Sequence, residues 1–61
     1  MVKQQFETLG QRIKKLRKEQ KMTQEALARA SNISYVSLVK IEQGKTKQPA
    51  FQTIYKIVKS L

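Results

Sequence analysis

The sequence predicts an all-α fold, a compact body of four helices around one small core. Three observations carry this. Apolar residues recur at spacings of three and four through most of the chain, the interval that lines one face of a helix. Residues suited to starting helices (Thr23, Ser34) and stopping them (Asn32, Gly44) separate those patterns. No segment reads as a strand. The 61 residues make a single domain, 1–61, and a chain so short buries only about 60% of its unfolded surface, so every helix must contribute.

The first helix is expected over residues 5–20. Phe6, Leu9, Ile13 and Leu16 form its apolar face, while Arg12, Lys14, Lys15 and Lys18 fill most of the remainder. Gly10 is a mild helix penalty that would suit a later start. Lys21 and Met22 form a short connection, with Met22 tucked into the core. The second helix, 24–31, has Thr23 as its N-cap and Glu25 near the positive end of its dipole. Ala26, Leu27 and Ala30 are its small inner face. It stops at Asn32, one of the few non-glycine residues at ease with positive φ, and Ile33 folds back as an apolar plug.

Ser34 caps a third helix, 35–43. Steps of about 100° per residue divide it into two faces. Leu38 and Ile41, with small Ser37 beside them, face the core, and Tyr35, Val36, Val39, Lys40 and Gln43 face away. Two valines and a tyrosine that the core does not need thus share a surface with Lys and Gln. Gly44 ends this helix, and Lys45, Thr46, Lys47, Gln48 and Pro49 form a polar, basic loop. Pro49 suits a first helical position. The last helix, 50–60, carries Phe51, Ile54, Ile57, Val58 and Leu61 as core residues, with Tyr55, Lys56 and Lys59 outside.

The chain has no Cys, His or Asp, which removes disulfides, the usual zinc ligands and the common general-base sets together. Neither an enzyme nor a cofactor or metal site is expected. Thirteen Lys and Arg against four Glu leave a net charge of +9 and favour a polyanionic partner, nucleic acid before anionic membrane. No apolar run approaches the roughly 18 residues of a spanning helix, and residues 1–4 show no signal-peptide core; a cytoplasmic protein is expected.

Two helices joined at a tight corner, in a basic body, form a helix-turn-helix, whose second helix enters the major groove of DNA. On that reading Tyr35, Val36, Val39 and Lys40 read bases: the valines against thymine methyls, Lys40 and Tyr35 by hydrogen bonds. Gln24 and Ser34 at helix N-termini, Gln43, and the following Lys45, Thr46 and Lys47 grip phosphates. Arg17 and Glu42 would form an ion pair between the first and third helices, fixing the angle of the reading helix.

The runs Arg12-Ile13-Lys14-Lys15-Leu16-Arg17, Met22-Thr23-Gln24-Glu25-Ala26-Leu27-Ala28, Asn32-Ile33-Ser34 and Ile41-Glu42-Gln43-Gly44 resemble the Cro/cI-type (XRE) helix-turn-helix family. Pro49 and Thr53-Ile54-Tyr55-Lys56-Ile57 extend the likeness into the fourth helix, and residues 44–51 look especially like the loop of lambdoid phage repressors. The resemblance implies a lambda-repressor-like domain and a bacterial or phage transcription regulator, a repressor that binds palindromic double-stranded operator DNA as a homodimer. It implies phosphate contact by Gln24 and Ser34, base reading by Tyr35, Val36, Val39 and Lys40, and the interhelix ion pair of Arg17 with Glu42. Two departures stand out. Asn32 occupies a corner that is commonly Gly, and the sequence ends at Leu61, where family domains add a fifth helix that often helps form the dimer. A truncated five-helix domain is thus the alternative form of the fold. The alternative function is an antitoxin-type or other interaction module that also contacts a protein partner.

Overall fold

In the computed structural model the described residues, 8–46 and 48–61, form four helices: α1 (Leu9–Glu19), α2 (Gln24–Ser31), α3 (Tyr35–Glu42) and α4 (Phe51–Ser60). The expected first turn of α1 over residues 5–7, with Phe6 on its apolar face, lies outside the described residues. Within them, the helix starts at Leu9 because Thr8 is extended and closes a capping box. Its Oγ1 accepts the Gln11 N–H at 3.1 Å, and Gln11 Oε1 accepts the Thr8 N–H at 2.9 Å. Thr23 and Ser34 cap α2 and α3 in the same sense, accepting from the N–H groups of Ala26 and Ser37.

Three of the helices end alike. Lys21 (φ 59°), Asn32 (φ 58°) and Gly44 (φ 80°) are left-handed, and each end carries the paired reversed hydrogen bonds of a Schellman motif. The bonds are Met22 N to Arg17 O and Lys21 N to Lys18 O; Ile33 N to Ala28 O and Asn32 N to Arg29 O; Lys45 N to Lys40 O and Gly44 N to Ile41 O. Met22 and Ile33, the apolar residues that follow the first two, pack against the core. Lys21 adopts this conformation without being Gly or Asn, which its side chain gives no reason to expect.

Ile13 of α1, Leu27 and Ala28 of α2, Leu38 and Ile41 of α3 and Ile57 of α4 form the core, with Met22, Ile33, Ile54 and Leu61 around it. α2 lies against both α3 and α4, and α1 lies across α3. Gly10 belongs to that crossing. A Cβ there would collide with the Ile41 carbonyl oxygen and stand 3.1 Å from Glu42 Cα. The glycine that weakens α1 as a helix thus permits it to touch the backbone of α3.

Several core expectations are corrected. α2 buries Leu27, Ala28 and Ser31, while Ala30 is exposed and Ala26 only half-buried, because α2 serves two neighbours and its inward face turns between them. α4 starts one residue later than expected, with Ala50 as N-cap, so Pro49 stands outside the helix. Phe51 becomes the first helical residue and is 82% exposed. Val58, on the same side, is 58% exposed, and Leu9, at the outer end of α1, is 44% exposed. Ile54, Ile57 and Leu61 carry the apolar contacts of the fourth helix with the core.

Two substitutions should move stability in opposite directions. Gly10→Ala should cost about 3 kcal/mol, since backbone cannot yield as a flexible side chain does. The Ser31 hydroxyl is buried with no hydrogen-bond partner. Ser31→Ala, which removes it, should therefore raise the melting temperature by a few degrees, roughly 4–8 °C per kcal/mol in a domain of this size. Thermal and urea melts of both variants check the signs.

Candidate nucleic-acid interface

The third helix is held from three sides, and its remaining surface is the candidate site. Leu38 and Ile41 are fully enclosed. Glu42, at its last turn, is buried and receives Arg17 through two parallel bonds, Nε to Oε2 at 2.8 Å and Nη2 to Oε1 at 3.1 Å. The guanidinium also donates from Nη1 to the Met22 carbonyl at 2.8 Å, which ties the turn between α1 and α2 to the same joint. A fork of fixed donors suits this arrangement better than the single ammonium of lysine would.

Gln24 joins the group. Its Nε2 donates to Glu42 Oε1 at 3.0 Å, and its Oε1 lies 3.5 Å from the Tyr35 hydroxyl, long for a hydrogen bond but close enough to face it. The first residue of α2 is therefore connected inward to the ion pair and outward to the first residue of α3. This tie was not anticipated; the only signal for it in the sequence was that Gln24 and Tyr35 each follow an N-cap.

Tyr35 (45% exposed) and Val36 (57% exposed) stand open to solvent at the start of α3, and Lys40 is exposed one turn on. Val39, expected with them, is half-buried. Ser34 Oγ already accepts the Ser37 N–H at 3.0 Å and donates to Ser37 Oγ at 2.7 Å, so its hydroxyl is engaged in capping. Gln43 and Lys45 are exposed, and Thr46 is half-buried. The N–H groups of Lys45 and Thr46 both point to the Lys40 carbonyl, at 2.9 and 3.3 Å, which folds this loop back along α3. Lys47 lies outside the described residues.

A groove runs between α3 and the start of α4, lined by Ser37, Lys40, Thr46, Pro49, Ala50 and Thr53. Ala50 caps α4 without a side-chain hydrogen bond, so the first-turn N–H groups of α4 receive no acceptor from their own cap. A helix expected from residue 50 places Ala50 inside α4, whereas it is the N-cap. Among the described residues no group of three or more His, Cys, Asp or Glu side chains could hold a metal ion, and no helix is long and apolar enough to cross a membrane.

A short helix pinned along one side, with a mixed apolar and hydrogen-bonding face and a tight corner before it, defines a helix-turn-helix domain. The chain belongs to the helix-turn-helix family of Cro/cI-like DNA-binding regulators, whose profile matches residues 13–61. Neither the curated proteins nor the solved structures contain a significant match.

The joint is testable by itself. Glu42→Ala leaves the Arg17 guanidinium buried without its partner and should cost about 3–5 kcal/mol. The double variant Arg17→Met with Glu42→Leu should recover most of that loss in urea unfolding. If the double variant were as unstable as Glu42→Ala, the cost would not lie in the stranded charge.

Proposed function

We propose that this domain is a sequence-specific double-stranded DNA-binding transcription regulator acting as a repressor, with α3 in the major groove. The observation that carries the reading is the division of α3: Leu38, Ile41 and Glu42 are consumed by the fold, while Tyr35, Val36 and Lys40 are exposed and chemically mixed. Tyr35 and Val36, nearest the helix start, read the deepest base edges. Val39 offers a methyl contact from its half-buried position, and Lys40 donates to guanine or thymine acceptors.

Around this reading face, phosphate contacts come from both ends. Gln24 and Ser34 present helix N-termini to one strand, with Gln24 held in place by Glu42. Gln43, Lys45, Thr46 and Lys47 follow α3 and grip the other side. The first-turn N–H groups of α4, which their own cap residue does not engage, lie beside Lys40 and Thr46 and extend that grip. The net charge of +9 supplies long-range attraction to the duplex. Binding is to a palindromic operator by two copies, in the cytoplasm and on the nucleoid, and repression follows from occupancy of the site.

Selection of bound sequences from random duplex DNA should return a half-site, repeated with inverted symmetry if two copies bind. Lys40→Ala should change relative affinity among operator variants by about 1–3 kcal/mol at one position. Lys45→Ala should weaken all sequences alike and lower the salt slope by roughly one. Identical behaviour of the two variants on every sequence would overturn the division into reader and clamp.

A further inference from the structure

The C-terminal ends of α2 and α4 meet around a hollow of about 310 Å³, lined by Ala30, Ser31 and Asn32 on one side and Lys56, Lys59 and Ser60 on the other. Its volume is at the lower end of the roughly 300–1,000 Å³ of small-molecule sites. Ser31, 3% exposed, forms its floor, and the Ser31 Oγ is the buried hydroxyl that has no hydrogen-bond partner. Lys56 and Lys59, one turn apart on α4, are both exposed, and no acidic residue lines the hollow. Lys59 Nζ lies 5.9 Å from the Tyr55 ring centroid, a weak contact that an anion would displace. Lysines near the end of a helix ordinarily serve its last carbonyls. Here those carbonyls are already engaged. Ala28 O and Arg29 O accept from Ile33 N and Asn32 N, Ile57 O and Val58 O accept from Leu61 N, and Ser60 Oγ lies 3.0 Å from both Ala30 O and Lys56 O. The two ammonium groups are left without that task, beside a buried donor without a bond.

We propose that this hollow binds the dianionic phosphoryl group of a small phosphomonoester. Charge selects the ligand. Two ammonium groups offset the roughly −1.5 to −2 that a phosphomonoester carries at pH 7, whereas a carboxylate or a phosphodiester, with one negative charge, leaves a lysine unmatched. Its three terminal oxygens accept from Lys56, Lys59 and the Ser31 hydroxyl. A buried donor that is costly while unpaired thus gains a charge-assisted bond in the complex alone. The esterified group lies over Ala30 and the lysine stems. A stretch of DNA backbone fits less well, since each of its phosphates is a monoanion. The hollow shares no residue with the candidate nucleic-acid interface, and the proposal stands independently of the DNA-binding reading.

The probes are phenyl phosphate, dimethyl phosphate and acetate, titrated at one ionic strength into the full 61-residue chain. Amide chemical shifts of residues 30–32 and 56–60 should move with phenyl phosphate, and the two monoanions should bind at least roughly tenfold more weakly. The chain has no His, so from about pH 5 to 7 the affinity should rise with the second ionisation of the ester, at about pH 6. Ser31→Ala and Lys56→Gln should each weaken binding roughly tenfold, the first despite a higher melting temperature, whereas Lys14→Gln, which removes the same charge from α1, should not. Equal losses in Lys14→Gln and Lys56→Gln, or undiminished binding by Ser31→Ala, would reduce the effect to general attraction of an anion to a basic protein and overturn the proposal. So would equal binding of dimethyl phosphate, or shifts confined to residues 35–46, which would assign the phosphate to the surface of α3.

Discussion

The orientation of α3 depends on one buried contact, the forked pairing of Arg17 with Glu42. Two charges removed from water are costly unless each is fully hydrogen-bonded, and here they are close to that condition. Glu42 receives the fork and the Gln24 amide, and Arg17 spends a further N–H on the Met22 carbonyl. The joint therefore connects α1, the turn after it, the start of α2 and the end of α3. Apolar packing by Leu38 and Ile41 would hold α3 near the body but would tolerate rotation about its axis. A directional, bidentate bond at its last turn does not, and it fixes which residues face outward.

Gly10 works on the same contact from the steric side. Without a Cβ it allows the α1 backbone to meet the Ile41 carbonyl and Glu42 Cα, and that approach brings Arg17, two turns further along α1, within reach of Glu42. A helix penalty of about 1 kcal/mol relative to alanine is the local cost of this arrangement. The case shows why propensity misleads at such a position: the benefit lies on another helix.

Much of the fold was legible because it was written in local chemistry. The caps at Thr23 and Ser34, the left-handed Asn32 and Gly44, and the inward turn of Leu38 and Ile41 follow from neighbours within a few positions, whereas Ser37, expected on the core face, is exposed and Val39, expected to face away, is half-buried. Arg17 and Glu42 could be matched across the chain because both are charged residues placed beside the core. What escaped notice depends on distant partners. Periodicity marks Phe51 and Val58 as apolar at helical spacing but does not say how wide a face the core will cover, and α4 meets too few neighbours to bury both sides. Lys21 is left-handed because the chain must turn there, and Gln24 turns inward because Glu42 has a free lone pair.

The three left-handed helix ends also bear on how the chain reaches this fold. The ends at Lys21 and Asn32 turn the chain within a few residues, so α2 meets its sequence neighbour α3 with little loop to close, while α2 with α4 and α1 with α3 are pairings over longer stretches of chain. Small helical domains of this kind fold in microseconds to milliseconds, because early contacts demand little chain entropy. The α1–α3 crossing is one of the longer-range pairings, joining Gly10 to Ile41 and Arg17 to Glu42 across the whole of α2. It is the step that must wait for both corners, and the outward face of α3 acquires its final angle only when that step is complete.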